Sequence, residues 1–223
     1  MSLGVEHEGV VKFHCRYRAG APLDSGFLAE INAWRKILFQ LELIGSVPDR
    51  YAGLGFGNIS QRLPPLPDGS AGGFVISGTQ TGGIRDLEPG HYAIVRHCDP
   101  QRNLVEAQGP IRPSSESLTH GIVYALDPRV NCVLHAHSPH IWRLAKQLDL
   151  PLTREDVPYG TPAMADEVRR VCMEEELCPL AVLAMGGHED GILAFGPDSG
   201  SAGTALIAYL AQAYSLAGKA ALS

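Results

Sequence analysis

The 223-residue chain carries a formal charge of -6 and is 45% hydrophobic and 19% charged, which suffices to bury one substantial core in a single α/β domain. Its acidic balance, without any basic stripe, argues against a nucleic-acid surface, and no run approaches the roughly 18 apolar residues of a membrane span. Five cysteines, an odd number with no CxxC pair, read as reduced and mostly packed thiols of a cytoplasmic protein.

The opening MSLGVEHEGV lacks a basic segment followed by an apolar one, so no signal peptide is expected. Residues 1–24 read as an N-terminal extension, with enough alternation over 9–18 for a strand. The clearest amphipathic helix spans 27–43: Phe27, Leu28, Ile31, Trp34, Leu38 and Leu41 follow the helical period, and Gly45 is placed to stop it. Four short strands are expected at 58–63, 73–77, 92–97 and 103–107, the first two joined by a proline- and glycine-rich hairpin loop over 62–73. A helix is predicted over 114–126, capped by Ser114 or Ser115, with Leu118, Ile122 and Leu126 at helical spacing. A strand at 131–137 follows, then helices over 139–148 and 164–173 and strands over 180–185 and 192–195. An amphipathic helix over 198–217, with Gly218 as stop, closes the chain. The acidic run Glu174, Glu175, Glu176 reads as a solvated helix end. With no internal repeat and no linker-length segment, residues 1–223 make one domain: a mixed α/β fold with a mainly antiparallel central sheet flanked by helices.

The chemistry concentrates between 112 and 140. Alternate side chains of a strand share a face, so His135 and His137 point the same way. Two imidazoles so placed can bind one cation, and neutral imidazole suits zinc, although an HxH pair by itself is more often structural. Glu116 falls in the first turn of the preceding helix, where a carboxylate also simply suits the helix dipole. His120 lies one turn further along the same face. Among the remaining histidines His188 is the best third ligand, because its glycine-rich turn, MGGHEDG, joins two strands that read as neighbours. The turns at 57–58 and 79–83, with Ser114 and Ser115 at a helix N-terminus, are physically sensible phosphate contacts; the commoner role of such turns is only to turn.

Five marks stand in order: GNIS at 57–60, SGTQTGG at 77–83, PSSE at 113–116, HAH at 135–137 and HEDG at 188–191. Together they resemble the class II aldolase and adducin family, the zinc-dependent, fuculose-phosphate aldolase-like enzymes, over nearly the whole chain. The resemblance implies that His135, His137 and His188 ligate zinc or another divalent first-row metal and that Glu116 is the acid/base residue. It implies that Asn58, Thr81, Gly82, Ser114 and Ser115 cradle a substrate phosphate. It further implies a homotetramer in which a tyrosine of the C-terminal helix, here Tyr214, completes a neighbour's cleft; apolar residues on more than one side of that helix fit a double contact. A histidine four residues after the carboxylate occurs in some members, and His120 fits. One departure concerns Gly55 and Phe56, which stand where the aldolases tend to carry hydroxyl residues. That weakens the anion site, lets Phe56 reshape it, and leaves Arg112 to supply charge.

The implied activity is metal-stabilised enediolate chemistry on a small sugar or sugar phosphate, most simply retro-aldol C–C cleavage. Dehydration, 4-epimerisation and decarboxylation follow the same logic on this scaffold. Glutamate at 116 resembles the aldolases and dehydratases more than the epimerases, which tend to carry aspartate. A non-catalytic adducin-like interaction module is the competing class, and adducin-type domains lack the three histidines that this chain keeps.

Overall fold

The computed structural model describes residues 10–220. Its strands are β1 (His14–Ala19), β2 (Asn58–Arg62), β3 (Phe74–Ser77), β4 (Tyr92–Asp99), β5 (Leu104–Gly109), β6 (Cys132–His137), β7 (Ala181–Ala184) and β8 (Gly191–Gly196). They form one sheet in the order β1-β5-β4-β3-β2-β6-β8-β7. Every junction is antiparallel except the parallel edge pair β1-β5. The helices are α1 (Ser25–Gln40), α2 (Ser117–Leu126), α3 (Pro139–Arg143), α4 (Pro162–Glu174) and α5 (Ser199–Ala220). The result is the expected mixed α/β domain with a mainly antiparallel sheet.

Two apolar layers cover the sheet, one on each face. On β6, Leu134 and Ala136 join Leu28, Ile31 and Leu38 of α1 and Leu206 and Leu210 of α5. Val133 points to the opposite layer, with Ile122 of α2 and Val168 of α4. Period-two alternation therefore carries His135 and His137 to the α2/α4 side of a strand buried along its whole length. Register sets their neighbours: His135 faces Asn58 on β2 and Leu193 on β8, and His137 faces Gly191.

Helix starts are written locally. Asp24 accepts from the Gly26 N–H ahead of α1, Ser138 from Ile141 ahead of α3, and Thr161 from Met164 ahead of α4. Proline opens both α3 and α4, where its missing N–H costs nothing.

Several boundaries depart from the sequence pattern, α1 among them, which ends at Gln40 rather than 43. α2 begins at Ser117 because the preceding turn is tied elsewhere: the Thr79 N–H bonds to the Arg112 carbonyl (3.0 Å), and Gly78 bridges Pro113. Glu116 thus occupies the N-cap position, and the Ser114 hydroxyl accepts from the Glu116 N–H at 3.3 Å within the turn. The helix expected over 139–148 shortens to α3. Beyond Arg143 the ladder becomes turns, with the Ala145 N–H reaching back three residues to Trp142, while Ile141, Ala145 and Leu148 are buried as their spacing predicts. α5 runs through the exposed Gly218 to Ala220, since one solvated helical glycine costs only about 1 kcal/mol. The N-terminal strand starts at His14 and pairs with β5, so this part of the extension belongs to the sheet; residues 1–9 lie outside the described residues. Among the described residues all five cysteines are free thiols, and no helix is long and apolar enough to cross a membrane.

The contact between α1 and α5 depends on a missing side chain. A Cβ on Gly203 would sit 2.2 Å from the Trp34 ring. Alanine in a helix interior is ordinarily better than glycine by about 1 kcal/mol, whereas overpacking costs about 1–3 kcal/mol. Gly203→Ala is therefore expected to lower the urea midpoint; an unchanged or raised midpoint would show that the two helices part freely.

Candidate active site

β6 delivers His135 and His137, and the turn between β7 and β8 delivers His188. That turn is tightly bonded, with the His188 N–H on the Met185 carbonyl (3.1 Å) and the Gly191 N–H on the His188 carbonyl (2.9 Å). The ligand nitrogens of the three buried histidines lie within 4.8 Å of one another, and His135 Nε2 is 3.1 Å from His137 Nε2. Burial holds His137 well below the ordinary imidazole pKa, helped by His188, His135 and Arg50. It therefore offers a neutral lone pair. Three converging neutral imidazoles form a donor set of the kind that could hold a divalent first-row cation.

Aromatic rings wall this cluster. Tyr159 stacks on His188 (4.2 Å, 17°), and the Lys12 ammonium lies 3.8 Å from the Tyr159 centroid while donating to the Tyr159 carbonyl at 3.0 Å. Tyr51 meets His137 edge-on at 4.7 Å, and the buried Phe56 ring lies 5.4 Å from the same imidazole. Phe56 thus backs the histidines with its ring and borders the glycine loop through its backbone, where a Cβ on Gly82 would lie 2.6 Å from its N. The Tyr51 hydroxyl donates to Asp190 Oδ2 (2.6 Å) and accepts from Arg50 Nη2 (2.8 Å). Burial and the bond to Asp190 push this phenol above its ordinary range, so it keeps its proton.

Glu116 is 1% exposed, and its Oε2 accepts from the Thr119 hydroxyl at 2.9 Å. Gly160, in the left-handed region at φ +65, lets the chain pass close to it: a Cβ there would be 3.4 Å from the Ser115 carbonyl and 3.7 Å from Glu116 Oε1. Two consecutive residues, Tyr159 and Gly160, thus border His188 and the carboxylate in turn. His120 lies one helical turn past Glu116, and its N–H bonds the Glu116 carbonyl at 3.0 Å. Its ring is engaged elsewhere, with Nδ1 2.7 Å from Ser60 Oγ, itself 2.7 Å from the Tyr124 hydroxyl. Thr119, which the helical spacing did not single out, is the α2 residue that touches the carboxylate.

Asn58, Thr81, Gly82, Ser114 and Ser115 all line one small pocket, so the structure brings the five expected phosphate contacts together. Asn58 Oδ1, an acceptor, is buried with no protein partner among the described residues. Arg35 shapes the pocket's loop. Buried on the core face of α1, it donates to the Arg85, Thr81 and Gly82 carbonyls at 2.9 to 3.0 Å. Its signal in the sequence is an arginine standing on the apolar stripe of Leu28, Ile31 and Leu38. Arg112 does not supply the pocket's charge; it is exposed, and its guanidinium lies over the Tyr17 ring at 5.3 Å. Tyr214 is 52% exposed on α5 with its ring against His140 at 4.8 Å.

The buried His120 has a consequence for stability. Burial, with His135 nearby, holds it well below the ordinary imidazole value, whereas in the unfolded chain it titrates near 6.5. The unfolded state therefore takes up the proton first. Stability is complete above about pH 6.5 and falls as pH drops toward the folded value, by about 1.4 kcal/mol per pH unit for each such group. Urea midpoints should decline from pH 8 to pH 5, and the decline should be shallower in His120→Asn; identical slopes would remove His120 from the effect.

Residues 49–213 match the model of the class II aldolase and adducin N-terminal domain. No curated protein matches the chain by sequence. Among solved structures, the L-fuculose-1-phosphate aldolase of Thermus thermophilus superposes with a TM-score of 0.64 at 18% identity, over 89% of this chain and 96% of that one. A sugar-phosphate aldolase of Thermotoga maritima gives 0.66 at 15% identity over the same shares, 89% and 96%. YgbL of Escherichia coli, for which aldolase, epimerase and decarboxylase activities are named as alternatives, gives 0.54 at 19% identity over 85% and 87%. At such identities the superpositions speak to the fold. The matched segment runs from the turn before β2 into α5 and encloses the histidine cluster, Glu116 and the small pocket, and the chain belongs to the class II aldolase and adducin family.

Proposed function

We propose that this chain is a metal-dependent carbon–carbon lyase that cleaves a small sugar or sugar phosphate by a retro-aldol reaction. The observation that carries the reading is the convergence of three buried imidazoles in a domain that also buries a carboxylate on the same side of its sheet. His135, His137 and His188 would hold the ion, which when bound supplies Lewis acidity to a substrate carbonyl and favours the enediolate.

The chain's own residues do the rest. Glu116 moves the proton, with Thr119 fixing one carboxylate oxygen and so aiming the other. Asn58, Thr81, Gly82, Ser114 and Ser115 take the substrate's phosphate through hydroxyls, an amide and backbone N–H groups near the start of α2. The Thr81 hydroxyl gives its only proton to the Gly78 carbonyl at 2.8 Å, so Thr81 offers the phosphate its backbone N–H. Tyr51, Phe56 and Tyr159 limit water around the imidazoles. Tyr214 acts in a neighbour's cleft of a cytoplasmic homotetramer, which accords with its exposed position on α5. Dehydration, 4-epimerisation or decarboxylation on the same site is the second reading; epimerase and decarboxylase are among the activities named for YgbL, which shares the fold. A non-catalytic adducin-like module is disfavoured because the three histidines are present.

Elemental analysis should find about one divalent ion per chain, lost in His137→Ala; full stoichiometry in that variant would displace the site. In a screen of ketose 1-phosphates and their aldehyde fragments, Glu116→Gln should retain the metal and lose about 100- to 10,000-fold of the turnover. A near wild-type rate would take Glu116 out of the mechanism. Light scattering should report a tetramer, with Tyr214→Phe preserving assembly and metal while slowing turnover. A monomer at micromolar concentration with undiminished activity would defeat the shared-cleft role.

A further inference from the structure

Arg50 is a charge that the lyase reading leaves without a task. Its guanidinium lies 5.0 Å from the Tyr51 centroid and 4.9 Å from that of Phe56, and both rings contact His137. The side chain is 24% exposed. Among the described residues only Nη2 finds a hydrogen-bond acceptor, the Tyr51 hydroxyl at 2.8 Å, while Nε is buried with none. Asp190 Oδ2 is 3.6 Å from Nη2 and already accepts from Tyr51 at 2.6 Å. An arginine serving only as a clamp on aspartate would commit its paired N–H groups to the carboxylate. Here Tyr51 stands between the two, and the guanidinium fork stays open.

The position is held against backbone preference. Tyr51 and Ala52 are both left-handed (φ +51 and +56), Gly53 follows at +74, and Asp190 on the far side is at +62. Non-glycine residues adopt this region only where their surroundings enforce it. What the turn achieves is a fixed Arg50–Tyr51–Asp190 chain beside the cluster. Asp190 offers one negative charge, shared with Tyr51, against Arg50 and a site for a divalent cation together, so the pair of cations is electrostatically adverse until a further anion joins them.

We propose that Arg50 binds an acidic group of the substrate, a carboxylate or a phosphate, at the rim of the histidine cluster. Arg50 does not line the Asn58–Ser115 pocket, so this is a second point of anion recognition. The inference rests on the lyase reading and narrows its substrates to acidic sugars or sugar derivatives that Arg50 can reach from the metal centre.

Calorimetric titration of the zinc-loaded protein with three probes tests it. Dihydroxyacetone, dihydroxyacetone phosphate and 5-hydroxylevulinate share a hydroxyketone head and carry no acid, a phosphate and a distal carboxylate. Arg50→Gln should weaken one acidic probe by about 10- to 100-fold and leave dihydroxyacetone unchanged. The probe affected tells carboxylate from phosphate. Arg50→Lys, which keeps the charge and loses the planar fork, should show a smaller loss and serves if Arg50→Gln does not fold. Ser115→Ala should weaken the phosphate probe alone. Unchanged binding in both Arg50 variants, or an equal loss of all three probes, overturns the assignment while sparing the lyase reading. A wild-type protein that holds its metal and binds none of the probes overturns both.

Discussion

Burying β6 on both faces makes its side chains answer to two interiors at once. Leu134 and Ala136 meet ordinary apolar neighbours from α1 and α5. On the other face Val133 begins an equally dry layer, and His135 and His137 complete it at 0% exposure. An imidazole without water has to remain neutral or find a partner, and three of them are packed where each ring touches the other two. The rest of the site accommodates that choice: glycine opposite His137, a short turn to bring in His188, and aromatic rings that pack on the imidazoles, the Tyr51 hydroxyl being taken up by Asp190.

A second buried polar group organises the neighbouring loop by the same rule. Arg35 enters the core as a cation, and the Thr81, Gly82 and Arg85 carbonyls satisfy it. Removing the guanidinium would strand three acceptors. Holding those carbonyls also fixes the loop against Phe56, whose ring in turn backs His137. The small pocket lined by Asn58 and Ser115 and the histidine cluster are therefore mechanically one unit, joined by β2 through the register of Asn58 with His135.

Regular elements were legible because their signals are periodic. The stripe of α1, the alternation of β6 and the glycine-bounded strands β7 and β8 all fall within a few residues of where the pattern places them. Boundaries failed where a long-range bond decided them, as at Pro113, whose bridge to Gly78 no local propensity records. The histidines and the five pocket residues were legible as motifs. Arg50, Tyr51, Thr119 and Tyr159 were not, and Asp190 stood in HEDG without a role, because contacts such as Tyr51 with Asp190 link residues 139 apart in sequence through an irregular turn. Gly55-Phe56 illustrates the converse: the residues were noticed, yet ring direction, which only packing decides, sent Phe56 to the histidines.

The parallel edge pair sets a constraint on how the chain acquires its finished form. β1 is the first strand among the described residues, and its partner residues lie 90 positions on, Cys15 beside Val105 and Tyr17 beside Ala107. Lys12, just before it, reaches Tyr159 across 147 residues. Contacts of such separation carry the largest loop-closure entropy and form late. During vectorial synthesis this segment emerges before the partners it docks against, so the wall that Lys12 and Tyr159 build beside His188 has to wait for both. One side of the histidine cluster is thus walled by a segment made well before the histidines themselves.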